Sequence, residues 1–202
     1  MAYLVDSTGV VIGEPVALAP RVKSTTICLL LIGACGPSAS PEHPQSSPTT
    51  KVERGRYLVT GAGCNDCHTP LVMTPSGPAL DTAHLLSGHP EKVVMTPAPV
   101  LPPGPWAIVG AATGTAWAGP WGTSFTANLT PDRETGLGTW TEQNFIDTIR
   151  KGAQMGTGRP LMPPMPAAMI AKFSDDDLGA IFAYLQSLPA INNHVPAPLP
   201  PP

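Results

Sequence analysis

Apolar positions recur with a helical period in only a few stretches of the chain, and long segments between them show no period. In residues 50–61, Thr50 and Glu53 stand at capping-box spacing, and Tyr57, Leu58 and Val59 supply apolar surface. A helix is therefore predicted from Lys51 to about Gly61. Gly55 inside it costs about 1 kcal/mol of helix propensity relative to alanine, which marks a close approach of another element. Gly61-Ala62-Gly63 then breaks the helix. In residues 140–152, Thr141 is a good N-cap and Trp140 with Phe145 holds the positions of a hydrophobic staple. Phe145, Ile146 and Ile149 share a face there. Arg150 and Lys151 suit the negative end of that helix dipole, and Gly152 can close it. In residues 173–189, Ser174 caps a helix whose first turn holds Asp175, Asp176 and Asp177. Leu178, Ile181, Phe182 and Leu185 follow at helical spacing until Pro189 stops them.

From Leu71 to about Trp121 regular structure is hard to find. Residues 96–105 (TPAPVLPPGP) have polyproline or turn character, residues 108–115 are small and glycine-broken, and residues 128–138 (NLTPDRETGLG) form tight turns. The pattern predicts an all-α fold, a small helical domain with long irregular loops.

The remaining apolar run, residues 26–34 (TICLLLIGA), follows the basic patch Arg21-Val22-Lys23 and is too short for an ordinary membrane span. It has the layout of a secretory signal. Its end, Ile32-Gly33-Ala34-Cys35, resembles a bacterial lipoprotein signal, in which Cys35 is lipidated and becomes the mature N-terminus. An ordinary signal peptide cut near Ala39 and a buried apolar strand are the alternatives. About twenty residues precede the basic patch, so translation is expected to start at Val22, read as methionine. Residues 38–50 (SASPEHPQSSPTT) read as a tether, with His43 solvated in it. The expected organisation is a signal region 1–34, a tether 35–50, a domain 51–195 and a Pro-rich tail 196–202.

Composition changes this picture in one respect. The chain of 202 residues has 27 prolines, 20 glycines and only 5% aromatic residues, a sparse supply for a self-sufficient core. A buried planar cofactor would provide the missing apolar volume. The formal net charge of −3 offers no basic stripe, so no nucleic-acid partner is expected.

Cys64-Asn65-Asp66-Cys67-His68 identifies that cofactor. Two thiols three residues apart can bond the two vinyl groups of one porphyrin, and the histidine directly after them lies under its iron. One covalently bound haem c is expected, held by Cys64 and Cys67, with His68 as proximal ligand. The other cysteines are placed elsewhere, Cys28 in the signal and Cys35 at its end. A thiol–disulfide pair would want a thioredoxin-like strand–helix pattern, and a zinc site a second cysteine pair; neither is found. A backbone carbonyl is expected to hold the imidazole nitrogen facing away from iron.

A second iron ligand is expected downstream. Met162-Pro163-Pro164-Met165-Pro166 offers thioethers on a proline-stiffened segment. Among Met155, Met162, Met165 and Met169, Met165 is the expected ligand, with Met162 next. His84 and His89 are weighed as distal ligands and read as surface histidines of a polar loop. Trp106, Trp117 and Trp121 could cover a haem edge or pack on proline.

In order along the chain, residues 64–70 (CNDCHTP), 128–138, 161–166 (LMPPMP) and 175–189 resemble a bacterial class I cytochrome c domain. The likeness is to the haem domains of membrane-bound alcohol and gluconate dehydrogenase cytochrome subunits, and it covers about residues 51–195. It implies a class I cytochrome c fold whose first and last helices cross near Gly55 and Tyr184. It also implies Met165 as distal ligand, and Asn128 and Trp121 near the haem propionates. This chain carries one haem motif where those subunits usually have several, and Ala167 stands where an aromatic residue usually follows Met-Pro. The implied function is single-electron transfer in the periplasm, from a dehydrogenase or respiratory donor to a cytochrome or oxidase acceptor, by an electron carrier that is no enzyme. A lipid on Cys35 would hold it at a membrane. The alternative is a haem peroxidase or sensor with an open distal position.

Overall fold

The computed structural model of the protein describes residues 49–201. The signal region 1–34, the assignments of Cys28, Cys35 and His43, and the tether 35–50 apart from its last two residues lie outside the described residues.

Each helix read from its caps forms where the caps place it. Helix α1 (Lys51–Gly61) starts at Thr50, whose hydroxyl accepts from Glu53 N at 3.2 Å while the Glu53 carboxylate accepts from Thr50 N at 2.9 Å. Helix α2 (Cys64–His68) follows after Gly63, whose φ of 70° turns the chain sharply. Helix α3 (Glu142–Lys151) is capped reciprocally by Thr141 and Asn144, and ends on Gly152 at φ 63°. The short helix α4 (Ala167–Ile170) was not legible; α5 (Asp175–Gln186) begins where Ser174 accepts from Asp177 N at 3.1 Å.

These helices bury one apolar cluster. Val59 of α1, Phe145 and Ile149 of α3, and Leu178, Ile181 and Leu185 of α5 are all buried in it. The rings of Phe145 and Phe182 meet at 5.7 Å. Helices α1 and α5 cross at Gly55, where an added Cβ would strike the Ala180 carbonyl and lie 2.8 Å from Tyr184 Cβ. Lys51–Glu142 at 2.7 Å and Arg54–Asp177 at 2.9 Å tie α1 to α3 and α5 on the outside. Exposed pairs of this kind are screened by solvent and add little, so burial, not charge, holds the helices together.

The all-α expectation is corrected by two antiparallel sheets within the stretch read as irregular. Strands β1 (Leu71–Thr74) and β2 (Gly77–Leu80) form a hairpin. Strands β3 (Val109–Gly110), β4 (Ala116–Gly119) and β5 (Gly122–Phe125) pair in that order. Two-residue turns, Pro75-Ser76 and Pro120-Trp121, set both registers, Thr74 opposite Gly77 and Gly119 opposite Gly122. Gly77 and Gly122, at φ 109° and 95°, supply backbone that side-chain-bearing residues avoid. Strands of four residues or fewer, rich in Gly, Ala and Pro, pair through backbone and leave no alternation to read.

Beyond α5 the chain returns across these sheets. Asn193 donates to the carbonyls of Ser87 and His89 at 2.7 and 2.9 Å. Leu199, in the stretch read as a tail, exchanges two hydrogen bonds of 2.9 Å with Thr123 of β5. Among the described residues no helix is long and apolar enough to cross a membrane.

Candidate functional site

The three side chains of the motif sit on the single turn of α2. Cys64 packs half-buried against the apolar cluster, and burial pushes its thiol up to about 11. The Cys67 thiol is also raised, by burial first and then by the Asp66 carboxylate. Both cysteines are free.

His68 closes α2 and is buried. Its Nδ1 lies 2.8 Å from the Ala127 carbonyl oxygen, which can only accept, so Nδ1 carries the proton. Nε2 is left with a free lone pair and no hydrogen-bond partner among the described residues. Burial lowers the imidazole pKa below its usual value, with the Ala127 carbonyl opposing. A neutral ring with one nitrogen fixed and the other open is the form in which histidine binds metal. The surrounding backbone is tightly engaged. Gly88 N donates to His68 O at 2.8 Å, and Leu86 N donates to the Thr69 hydroxyl at 3.0 Å. Leu86 is fully buried at φ 58°, a left-handed conformation that leucine adopts only where the surroundings enforce it.

Of the candidate methionines, Met155 and Met169 are exposed and Met165 packs against the apolar cluster that Cys64 also borders. Met162 is half-buried, and its carbonyl accepts from Met165 N at 3.1 Å in a turn. This segment is tied back to the sheet, since the Ser124 hydroxyl donates to the Pro163 carbonyl at 2.6 Å. Ser124 and Ala127 therefore brace both candidate ligand segments from one stretch of chain. Neither was legible in the sequence. Ala127 acts through a carbonyl that every residue has, and Ser124 through a hydroxyl reaching a partner 39 residues away.

The indole nitrogens of Trp117 and Trp121 and the side-chain oxygen of Asn65 are buried without a hydrogen-bond partner. Unpartnered buried N–H groups are costly, and an acceptor supplied by a bound group would relieve that cost. Asn128 is different. Its amide donates to Thr135 Oγ1 and Ile191 O and accepts from Thr130 N and Oγ1, which uses all four of its hydrogen bonds. It organises the turn 128–138 and has nothing left for a propionate.

Neither weighed histidine faces the site as a ligand. His84 is exposed and pairs with Asp81 at 2.6 Å. His89, read as a surface residue, is fully buried. Its Nδ1 meets Thr115 Oγ1 at 2.9 Å, its Nε2 lies 3.3 Å from Val93 O, and its ring packs on Phe125 at 4.9 Å. Burial lowers the His89 pKa, so the folded protein resists a proton that the unfolded chain accepts near about pH 6.5. Stability is therefore expected to be full above that pH and to fall on acidification below it, by at most about 1.4 kcal/mol per pH unit. Urea denaturation of the haem-loaded protein between about pH 7.5 and 5 should show this slope, and His89→Gln should lose its share of it.

The residues present fit a covalent haem: a neutral histidine with a free nitrogen, two thiols one helical turn apart, a half-buried thioether and two orphaned indole donors. No protein-family model matches the chain. The chain is similar to the cytochrome c subunit of a quinone alcohol dehydrogenase from Gluconobacter oxydans (strain 621H), 28% identical over 153 residues. That match covers 76% of this chain and 24% of the relative. It is similar to the gluconate 2-dehydrogenase cytochrome c subunit of Pantoea cypripedii, 38% identical over 133 residues, covering 66% of this chain and 22% of the relative. The fructose dehydrogenase cytochrome subunit of Gluconobacter japonicus is 24% identical over 170 residues, covering 83% of this chain and 28% of the relative. The resemblance drawn from the motifs is thus met by dehydrogenase cytochrome subunits. The chain spans about a quarter of the length of these curated relatives.

Proposed function

We propose that the chain is a monohaem c-type cytochrome, an electron-carrying component and not itself a catalyst, that passes single electrons from a dehydrogenase or respiratory donor to a downstream acceptor. Haem bound here supplies an iron that alternates between two oxidation states. The protein's part is to hold and shield it. Cys64 and Cys67 would fix the ring, and His68, through Nε2, and Met165, through its thioether, would hold the iron. The buried, unpartnered indole N–H groups of Trp117 and Trp121 would be donors for its propionates. No side chain has to make or break a substrate bond.

The observation that carries this reading is His68: buried, neutral, oriented by Ala127, and one residue past a thiol pair. The similarity to cytochrome c subunits of dehydrogenase complexes supports it. The periplasm and a lipid anchor at Cys35 belong to the same proposal and rest on residues 26–35, where an apolar run ends in Ile-Gly-Ala-Cys. An anchored, tethered domain has a raised effective concentration at membrane-bound partners.

The test is the purified, cell-made protein. Haem is expected to stay with the polypeptide through acid–acetone extraction and denaturing electrophoresis. The oxidised spectrum is expected to show a Met–iron charge-transfer band. Haem that washes out would sink the covalent reading, and a high-spin spectrum would turn it towards a peroxidase or sensor.

A further inference from the structure

Charge is distributed unevenly over the described residues. Lys51–Glu142, Arg54–Asp177, Lys151–Asp147 and Arg150–Asp175 all lie on or beside helices α1, α3 and α5. By contrast, residues 69–80 and 93–131 contain no Asp, Glu, Lys, Arg or His. Large apolar side chains stand in solvent on these two segments: Met73 is 78% exposed, Val94 90%, Val100 89% and Trp106 77%. Val72 and Ile108 are exposed beside them.

The two segments are joined. Leu71 N at the start of the hairpin donates to Thr113 O at 2.8 Å, and a Cβ on Gly114 would meet the Leu71 side chain at 3.1 Å. The loop 93–108 within the second segment is pinned at both ends, by His89 against Val93 O and by β3 pairing from Val109. The first exposed apolar side chain of this face, Val72, lies four residues after His68 in the chain.

We propose that this uncharged face, built from the β1–β2 hairpin and the loop 93–108, is where the domain docks on an equally uncharged, apolar face of a catalytic dehydrogenase subunit. The proposal rests on the electron-carrier reading above and names the partner's surface. A transient redox partner is steered by complementary charge, and its binding weakens with salt. A face without charge cannot steer, and a charge buried against it would stay unpaired. It suits a lasting subunit contact instead, whose buried centre is poor in charge and rich in Trp and Met. An anionic membrane surface would ask for basic residues among the apolar ones, and Lys92 alone flanks the loop.

The experiment uses the full chain in membranes of cells that make it, solubilised in mild detergent and sedimented at about 20 mM and about 500 mM salt. Haem is followed by its absorbance and dehydrogenase activity by dye reduction with alcohol, gluconate or fructose as substrate. For the wild type, haem and dye-reducing activity are expected to sediment together at both salts. In a Val100→Asp, Trp106→Asp double variant the haem is expected to move to the mass of the chain alone. Its covalent haem and spectrum should be unchanged, while substrate-driven haem reduction slows by about tenfold or more. Lys172→Glu, an exposed charge change beside the helices, is expected to leave all of this as in the wild type. The proposal is overturned if the wild-type haem runs alone, as a pair of copies or only with lipid, if salt dissolves the complex, or if the double variant stays in it. Absence of covalent haem from the wild type overturns the electron-carrier reading as well, so the two failures are told apart.

Discussion

Replacing Met165 by alanine is expected to abolish the Met–iron charge-transfer band, shift the oxidised haem towards a high-spin spectrum and lower the reduction potential. Met162→Ala is expected to keep the band. The distinction follows from placement. Met165 packs against the apolar cluster that also takes Cys64, whereas Met162 contributes its carbonyl to the turn that presents Met165. Met155 and Met169 are exposed and do not pack on that cluster. A thioether opposite an imidazole favours reduced iron, so its loss lowers the potential. Haem stays covalently bound in the variant through Cys64 and Cys67, which separates loss of the ligand from loss of the cofactor. If Met162→Ala removes the band and Met165→Ala keeps it, the two assignments must be exchanged.

Much of this site was legible because its chemistry is local. Cys64, Cys67 and His68 share one helical turn, and Thr50, Thr141 and Ser174 announce their helices through bonds spanning three residues. What was not legible acts at a distance or through the backbone. The carbonyl that orients His68 comes from Ala127, 59 residues on. The sheets rest on turn residues that the sequence does display, Pro75-Ser76-Gly77 and Gly119-Pro120-Trp121-Gly122. Their strands are too short and too small in side chain to show a period of two, and so the segment read as irregular. His89 was misplaced for the same reason, since its partners Thr115 and Phe125 come together only once that sheet exists. Asn128 drew attention through its turn, but its four hydrogen bonds serve the fold.

Gly55→Ala carries the largest expected effect on stability, and two opposed magnitudes decide its sign. An alanine in the middle of α1 gains about 1 kcal/mol of helix propensity over glycine. Against this, the new Cβ would strike the Ala180 carbonyl and approach Tyr184 Cβ, and backbone on α5 cannot turn aside as a flexible side chain could. Forcing a methyl group into a packed contact costs about 1–3 kcal/mol, and more where backbone must move. Here α5 carries Leu178, Ile181 and Leu185 into the core, so separating it from α1 also opens that cluster. The net expectation is a loss of about 2 kcal/mol or more, read as a lower urea midpoint of the haem-loaded protein. Gly61 in the same helix is the control, because nothing lies within 4 Å of its added Cβ. Gly61→Ala should be neutral or gain up to about 1 kcal/mol. If both variants match the wild type, α1 and α5 do not meet at Gly55 in solution. The crossing that sets the core beneath Cys64 would then have to be placed elsewhere.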